Sequence, residues 1–414
     1  MMTLESLTVA DFRNFPSDNT SLGPTKLELG PRFTILHGHN GAGKTNLLEA
    51  LYFVSTLRSF RGADLKTMLR HGCEHARIEV VGLDHQLNLP NRLEVRIDTG
   101  PRSTRRTASL NGKIVRSAAE FYGSISAILF TPEDLAVLRG SPGGRRRFID
   151  RVVFAREKSH ITDVQDYEKV LRSRNRVLKN ESGLGVVDRT RMIEAYDQGL
   201  AKTGARIWGR RVRNIEALQR PFFQAFEQIH GTGLRVELQY KTKLENSAGS
   251  TSSQPLSPAS SISPPLSTAT SQDFTREQTL LRALREHRLR DEARRSTSIG
   301  PHLDDLQVML DGAPAGDFAS QGQARALILA FKIAELRTAH EATGVPPLLL
   351  LDDVSSELDP RRNIQLFETL SAEVGQCVLT TTAPHFIKLP AAIDRREVEV
   401  REGQLLVQDK ISLD

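Results

Sequence analysis

Three short stretches of this chain carry the residue types needed to handle phosphate, a divalent cation and water. The first is Gly38-His39-Asn40-Gly41-Ala42-Gly43-Lys44-Thr45, which fits the phosphate-loop pattern Gly-x-x-x-x-Gly-Lys-[Ser/Thr]. Gly38 and Gly43 permit a tight turn that aims successive backbone N–H groups at an anion. Lys44 would place a point charge on the β- and γ-phosphates of ATP, and Thr45 would offer its hydroxyl to Mg²⁺. The second stretch is Leu348-Leu349-Leu350-Leu351-Asp352-Asp353. An apolar run ending in carboxylates describes a central parallel strand with acids at its C-terminal edge, where such sheets meet their ligands. Asp352 would hold Mg²⁺ through water, and Asp353 would orient or deprotonate the attacking water. The third is Ser320-Gln321-Gly322-Gln323, which opens a helix ahead of that strand; Ser356-Glu357-Leu358-Asp359 follows the acids directly.

These groups need elements to carry them. Arg32-Phe33-Thr34-Ile35-Leu36 reads as a buried strand entering the loop, and residues 46–54 as the helix leaving it. The helix N-terminus would add its dipole to the anion site. Residues 76–113 alternate as antiparallel strands, with a hairpin signal at Asn111-Gly112. Ile125-Ser126-Ala127-Ile128-Leu129-Phe130 is a further buried run. From about Arg145 to Ile229 the pattern is helical and strongly charged. Residues 246–272 are nearly all Ser, Thr, Pro, Ala and Gln, a composition expected to stay disordered as a surface insertion. After Thr297 a compact α/β pattern returns, with strands at 306–310, 347–353 and 377–380 and helices at 322–340 and 361–369.

Composition narrows the function classes. No apolar run approaches the roughly 18 residues that a membrane span requires, and the first residues lack the apolar core of a secretion signal. Cys73 and Cys377 are the two cysteines, without metal-type spacing; two reduced thiols in a cytoplasmic protein are expected. The net charge is +6, yet residues 139–220 hold twenty Lys and Arg against ten Asp and Glu. A basic middle in an otherwise acidic chain suggests a polyanion surface. Arg172, Arg176 and Lys179 share one helix face there, a repulsive arrangement that phosphate would offset.

The order of loop, Ser-Gln-Gly-Gln and Asp-Asp resembles an ATP-binding-cassette head. That resemblance implies that Ser320 and the Gly322 N–H of one subunit cap the ATP of another, so that ATP is buried between two heads. Two departures stand out. The catalytic position usually holds Glu and here is Asp353, which implies slow hydrolysis, and the usual switch His is missing from Thr380-Thr381-Thr382-Ala383. No Q-loop glutamine is evident.

With those departures the chain resembles the RecF family of bacterial recombinational repair from end to end, the Ser/Pro insertion excepted. The matching residues include Phe12-Arg13-Asn14-Phe15, Arg58-Ser59-Phe60-Arg61, Phe130-Thr131-Pro132-Glu133-Asp134-Leu135 and Arg145-Arg146-Arg147-Phe148-Ile149-Asp150. Tyr167, Arg174-Asn175, Gly300-Pro301-His302 with Asp304-Asp305, and the three chemical stretches complete the match. Leu303 stands where a basic residue is expected, and Ala324 where a polar one is. The resemblance makes the Asp-Asp pair and the Thr run the family's versions of the catalytic and switch positions. It implies a weak, DNA-stimulated ATPase used as a switch, which forms an ATP-dependent homodimer, binds double-stranded and gapped DNA, and helps RecO and RecR load RecA.

The fold expected is an α/β cassette-type head, with a phosphate-loop core sheet and an antiparallel lobe, carrying an inserted and mainly helical arm. The expected segments are 1–125 and 296–414 for the head and 126–295 for the arm. A head of the structural-maintenance or Rad50 kind would need long heptad repeats between loop and signature, which are absent here. A transporter ATPase would normally keep the switch His and lack the basic arm. A phosphate-loop kinase of small molecules leaves 320–323 and 356–359 unexplained.

Overall fold

The computed structural model describes residues 2–16, 23–84, 89–115, 121, 124–180, 183, 185–244, 266–353, 360–390 and 393–408. In chain order the first strands are β1 (Met2–Ala10), β2 (Thr25–Glu28), β3 (Phe33–His37), β4 (His75–Asp84), β5 (Leu89–Thr99), β6 (Thr104–Leu110), β7 (Lys113–Ile114) and β8 (Ala127–Phe130). They continue with β9 (Val236–Lys241), β10 (Asp305–Leu310), β11 (Ala313–Pro314), β12 (Leu348–Leu351), β13 (Cys377–Thr381), β14 (Arg395–Arg401) and β15 (Gln404–Gln408). Two compact units result. The first comprises Met1–Leu135, Gln224–Thr232 and Arg325–Asp414; the second comprises Ala136–Phe223 and Gly233–Ala324.

The first unit holds two six-stranded sheets, ordered β2-β1-β4-β5-β6-β7 and β15-β14-β3-β13-β12-β8. The second sheet is parallel from β14 to β8, and its inner strands β3, β12 and β13 are buried along their whole length. Strands covered on both faces need continuous apolar runs, which Phe33-Thr34-Ile35-Leu36 and the four leucines of 348–351 supply. The first sheet is antiparallel and alternates instead, as along β4. Its Asn111-Gly112 turn takes positive φ at both residues, the geometry of a two-residue hairpin. Helix Lys44–Thr56 buries eleven of its thirteen residues and packs against β4 and β5 of one sheet and β8, β12 and β13 of the other. The Gln376 side chain joins the sheets: its amide donates to Leu4 O (2.7 Å) and Gly30 O (2.9 Å), and its oxygen accepts from Leu4 N (2.9 Å).

The second unit is built on helices Pro142–Arg156 and His160–Leu178, most of Val186–His230, Leu266–Glu286 and Arg288–Arg294. An apolar cluster of Tyr167, Leu200, Ala201, Ile207, Leu280, Leu284 and Ile299 fills its interior. It also contains a three-stranded sheet, β11-β10-β9. Because β10 pairs with β9 along its whole length, residues 296–324 group with the helices. The chain passes between the units at 135/136, 223/224, 232/233 and 324/325, where boundaries at 125/126 and 295/296 are expected from the sequence. Most of the expected disordered insertion lies outside the described residues, but its last part does not: the chain is helical from Leu266. Once the apolar stripe of Leu280, Ala283 and Leu284 has nucleated that helix, each further turn costs little. Among the described residues no helix is long and apolar enough to cross a membrane.

Candidate nucleotide site

Residues 38–45 connect β3 to the helix Lys44–Thr56, as the pattern requires. Gly43 caps that helix at φ 116°, and a Cβ there would lie 2.7 Å from Asn14 Nδ2. Gly38 has φ 141°, and its Cβ would fall 2.3 Å from Val400 O. Both positions combine a left-handed backbone with close approach, so glycine is required twice over. Lys44 is buried and donates to its own loop, at 2.7 Å to Gly38 O and 3.0 Å to His39 O. Burial lowers its ammonium below the usual lysine range, while Asp353 and Asp352 pull it back up.

The acids meet the loop at the C-terminal end of β12. Thr45 Oγ1 donates to Asp352 Oδ1 at 2.8 Å, and Thr380 Oγ1 donates to the same oxygen at 2.8 Å. Asp353 adopts φ 46°, and its N–H donates to Thr380 Oγ1 at 2.9 Å. Burial raises the Asp352 carboxyl above the usual range; the Thr45 and Thr380 hydroxyls and the Arg61 charge oppose that rise. One hydroxyl and one carboxylate are the hard oxygen donors Mg²⁺ takes when phosphates and water complete its shell. Among the described residues no group of three His, Cys, Asp or Glu forms a metal cage.

The layer beneath the loop comes from two stretches that carry the family resemblance but to which the sequence assigns no role. Glu49, fully buried in the loop helix, receives Arg13 in a fork at 2.8 and 2.9 Å and the Ser59 hydroxyl at 2.5 Å. Asn14 Nδ2 donates to Ala42 O at 3.0 Å and Asn14 Oδ1 accepts from Asn46 at 2.8 Å, while Arg61 donates to Asn46 at 3.0 Å. Phe12-Arg13-Asn14-Phe15 and Arg58-Ser59-Phe60-Arg61 thus brace the loop. A cavity of about 920 Å³ opens beside them, lined in part by Arg13, Asn14, Asn46, Arg61, Arg70 and His71, within the size range of small-ligand sites.

Ser320, Gln321, Gly322 and Gln323 lie in the second unit, at the start of helix Gln321–Thr343. Ser320 Oγ accepts from Gln323 N at 3.2 Å, and Gln323 Oε1 accepts from Ser320 N at 2.8 Å. This reciprocal pair is a capping box, and it leaves Ser320 and Gln321 exposed. The stretch 356–359 lies outside the described residues. Arg172 and Arg176 are exposed on helix His160–Leu178 of the second unit, and Lys179 is exposed at its C-cap. Arg172 Nη1 lies 3.9 Å from Glu168.

Several arginines of 139–220 are paired inside their own unit, and two of them, Arg145 and Arg174, draw on acids outside the stretch. Arg145 forks Asp305 at 2.7 Å on both arms, Arg211 forks Asp150 at 2.8 and 2.9 Å, and Arg206 and Arg210 share Asp163. Arg174, with no exposed surface, bonds Asp197 and Asp291, both at 2.7 Å. The loop Gly300-Pro301-His302-Leu303-Asp304-Asp305 gathers several of these groups: Arg211 donates to Pro301 O (2.7 Å), Tyr167 OH meets His302 Nδ1 (2.7 Å), and Tyr240 OH donates to Asp304 (2.6 Å). Asp291 and Asp305 lie outside the stretch 139–220, so a running charge count could not pair them.

A phosphate loop facing an acid-tipped strand, in a parallel sheet joined to an antiparallel lobe, defines the cassette-type ATPase head of the RecF/RecN/SMC N-terminal domain family, whose model matches residues 3–396. The chain is 38% identical over 410 residues to the DNA replication and repair protein RecF of Myxococcus xanthus, covering 98% of each chain. It is 32% identical over 407 residues to that of Geobacter sp., covering 98% of this chain and all of the other. It belongs to the RecF family. Among solved structures, the recombination mediator protein RecF-ATPrS in the RecFOR pathway superposes with a TM-score of 0.80 at 26% identity, covering 98% of each chain. The Smc head of Pyrococcus furiosus bound to the C-terminal domain of ScpA, at TM-score 0.52 and 16% identity over 99% of this chain and 96% of that one, shares the fold alone.

Proposed function

We propose that this RecF-family chain is an ATP-dependent DNA repair and replication protein whose nucleotide controls association of two copies on DNA. The observation that carries the reading is the 2.8 Å bond between Thr45 and Asp352, which lie 307 residues apart. It brings a phosphate loop and an acid-tipped strand to one point, as Mg-ATP handling requires. Lys44, which donates to the Gly38 and His39 carbonyls, would turn to the phosphates of bound ATP, and Thr45 and Asp352 would hold Mg²⁺. The cation would offset charge on the β- and γ-phosphates. Asp353 orients the attacking water; its side chain is one methylene shorter than the usual Glu, so hydrolysis is slow. Ser320 and the Gly322 N–H of the second copy close over the γ-phosphate, and the Ser320–Gln323 cap opens to do so. The associated form binds double-stranded DNA next to gaps through the arm face of Arg172, Arg176 and Lys179, and assists RecO and RecR in loading RecA.

Sedimentation with and without Mg-ATP tests this. The wild type associates when Mg-ATP is added. Lys44→Met loses nucleotide binding, and Ser320→Arg binds nucleotide but stays monomeric, because a bulky cation enters a tight donor site. Asp353→Asn binds, fails to hydrolyse and stays associated. A wild type that remains monomeric at micromolar concentration in Mg-ATP overturns the reading.

A further inference from the structure

Thr380 sits at the end of β13, 2% exposed, and its hydroxyl makes two bonds of opposite sense. It donates its single proton to Asp352 Oδ1 at 2.8 Å and accepts the Asp353 N–H at 2.9 Å. The first bond fixes a carboxylate, because a second hydroxyl, from Thr45, donates to the same oxygen, and two donors on one oxygen set the rotation of the whole group. The second bond fixes backbone. Asp353 has φ 46°, a left-handed conformation that a non-glycine residue keeps only where its surroundings hold it. Thr45 belongs to the loop and must turn a lone pair toward a cation when one enters. Thr380 belongs to a fully buried strand and makes no such change.

We infer that Thr380 is the positioning residue of the two acids: one hydroxyl locks the cation-holding carboxylate of Asp352 and the backbone turn that aims Asp353. The inference rests on the Mg-ATP reading above. It assigns to one atom of the Thr380-Thr381-Thr382 run the task of keeping both acids in register while the nucleotide comes and goes. Valine has nearly the shape of threonine without the hydroxyl, and serine has the hydroxyl without the methyl, so the two substitutions separate bonding from packing.

The test is a Mg²⁺ titration of fluorescent-ATP binding on the full chain, beside steady-state kinetics. Thr380→Val should raise the Mg²⁺ midpoint about 10-fold or more, the usual loss when a partner of a metal ligand is removed. It should lower kcat more than it changes KM, and leave ATP affinity in EDTA at the wild-type value. Thr380→Ser should restore the Mg²⁺ midpoint and kcat to near wild type. If Thr380→Val melts early, the pair Thr380→Ser and Thr380→Ala carries the same comparison. A Thr380→Val protein with the wild-type midpoint, or a Ser variant as impaired as Val, overturns the inference. A wild type without Mg²⁺-dependent ATP binding would overturn the nucleotide reading itself.

Discussion

Glu49 has no exposed surface and accepts hydrogen bonds from Arg13 and the Ser59 hydroxyl. A buried carboxylate deprived of its guanidinium is costly, because desolvation is no longer offset. Arg13→Met should therefore cost about 3 kcal/mol in urea unfolding and weaken Mg-ATP binding, since Arg13 also lines the cavity beside the loop. Adding Glu49→Gln should recover part of the stability; wild-type unfolding by the single variant would show that the pair is idle. His302 gives a second test. Its Nδ1 faces the Tyr167 hydroxyl and its Nε2 faces Thr297 O, and burial pushes its pKa down to about 4. A folded-state value below the unfolded one means that the unfolded chain binds the extra proton, so stability falls as pH drops from about 6.5 toward 4. His302→Gln should flatten that part of the Tm-against-pH profile. These residues also mark what the sequence makes legible. Lys44, Thr45 and Asp352 stand in local patterns whose chemistry can be read directly. Glu49 pairs across 36 residues and Thr380 across 28, and no periodicity announces such pairings.

Short segments set the presentation of the longer ones. The turn before Ser320 is clamped: Arg139 Nη2 donates to Ala319 O at 3.0 Å, and a Cβ on Gly316 would fall 2.2 Å from Leu138 O. Arg139→Ala removes a charge-assisted bond, so ATP-driven association should weaken about tenfold while ATP affinity of the single chain stays unchanged. Titration by sedimentation checks it, and unaltered association would make the clamp incidental. Deleting residues 246–265 should shift Tm by no more than a few degrees and leave ATPase activity intact. Their composition offers few apolar side chains to bury, and shortening a loop changes its closure entropy slowly; a large fall in Tm would show that they pack. The strands at 33–36 and 348–351 and the helix at 322–340 can be read from apolar runs and their spacing, whereas β2, β14 and β15 are not among the strands expected from the sequence. The extra helical turns at Leu266 cannot be read in this way, since Ser and Thr there promise nothing and the neighbouring apolar stripe decides.

Net charge is where counting along the chain and folding in space diverge most. The stretch 139–220 looks like a broad cationic surface, yet Arg145, Arg174, Arg206, Arg210 and Arg211 answer to aspartates of the same unit. Arg172, Arg176 and Lys179 are exposed on this unit, and the proposed DNA face rests on them. Replacing these three with Ala should weaken DNA binding and reduce the log–log salt slope by about 0.9 for each phosphate that is no longer neutralised. DNA titrations at several salt concentrations measure it, and an unchanged slope would move the DNA face elsewhere. The order of the core sheet carries a consequence of another kind. β3, which feeds the phosphate loop, lies between β13 and β14, so a strand near the start of the chain is completed by two near its end. On the ribosome, at roughly 5–20 residues per second, Phe33 to His37 must wait on the order of 20–70 s for both neighbours. A nascent chain that stops short of Arg395 has no second partner for β3 and no Val400 carbonyl behind Gly38, and it should not retain ATP. Nucleotide binding by this protein thus reports that its synthesis has passed the last strands of the head.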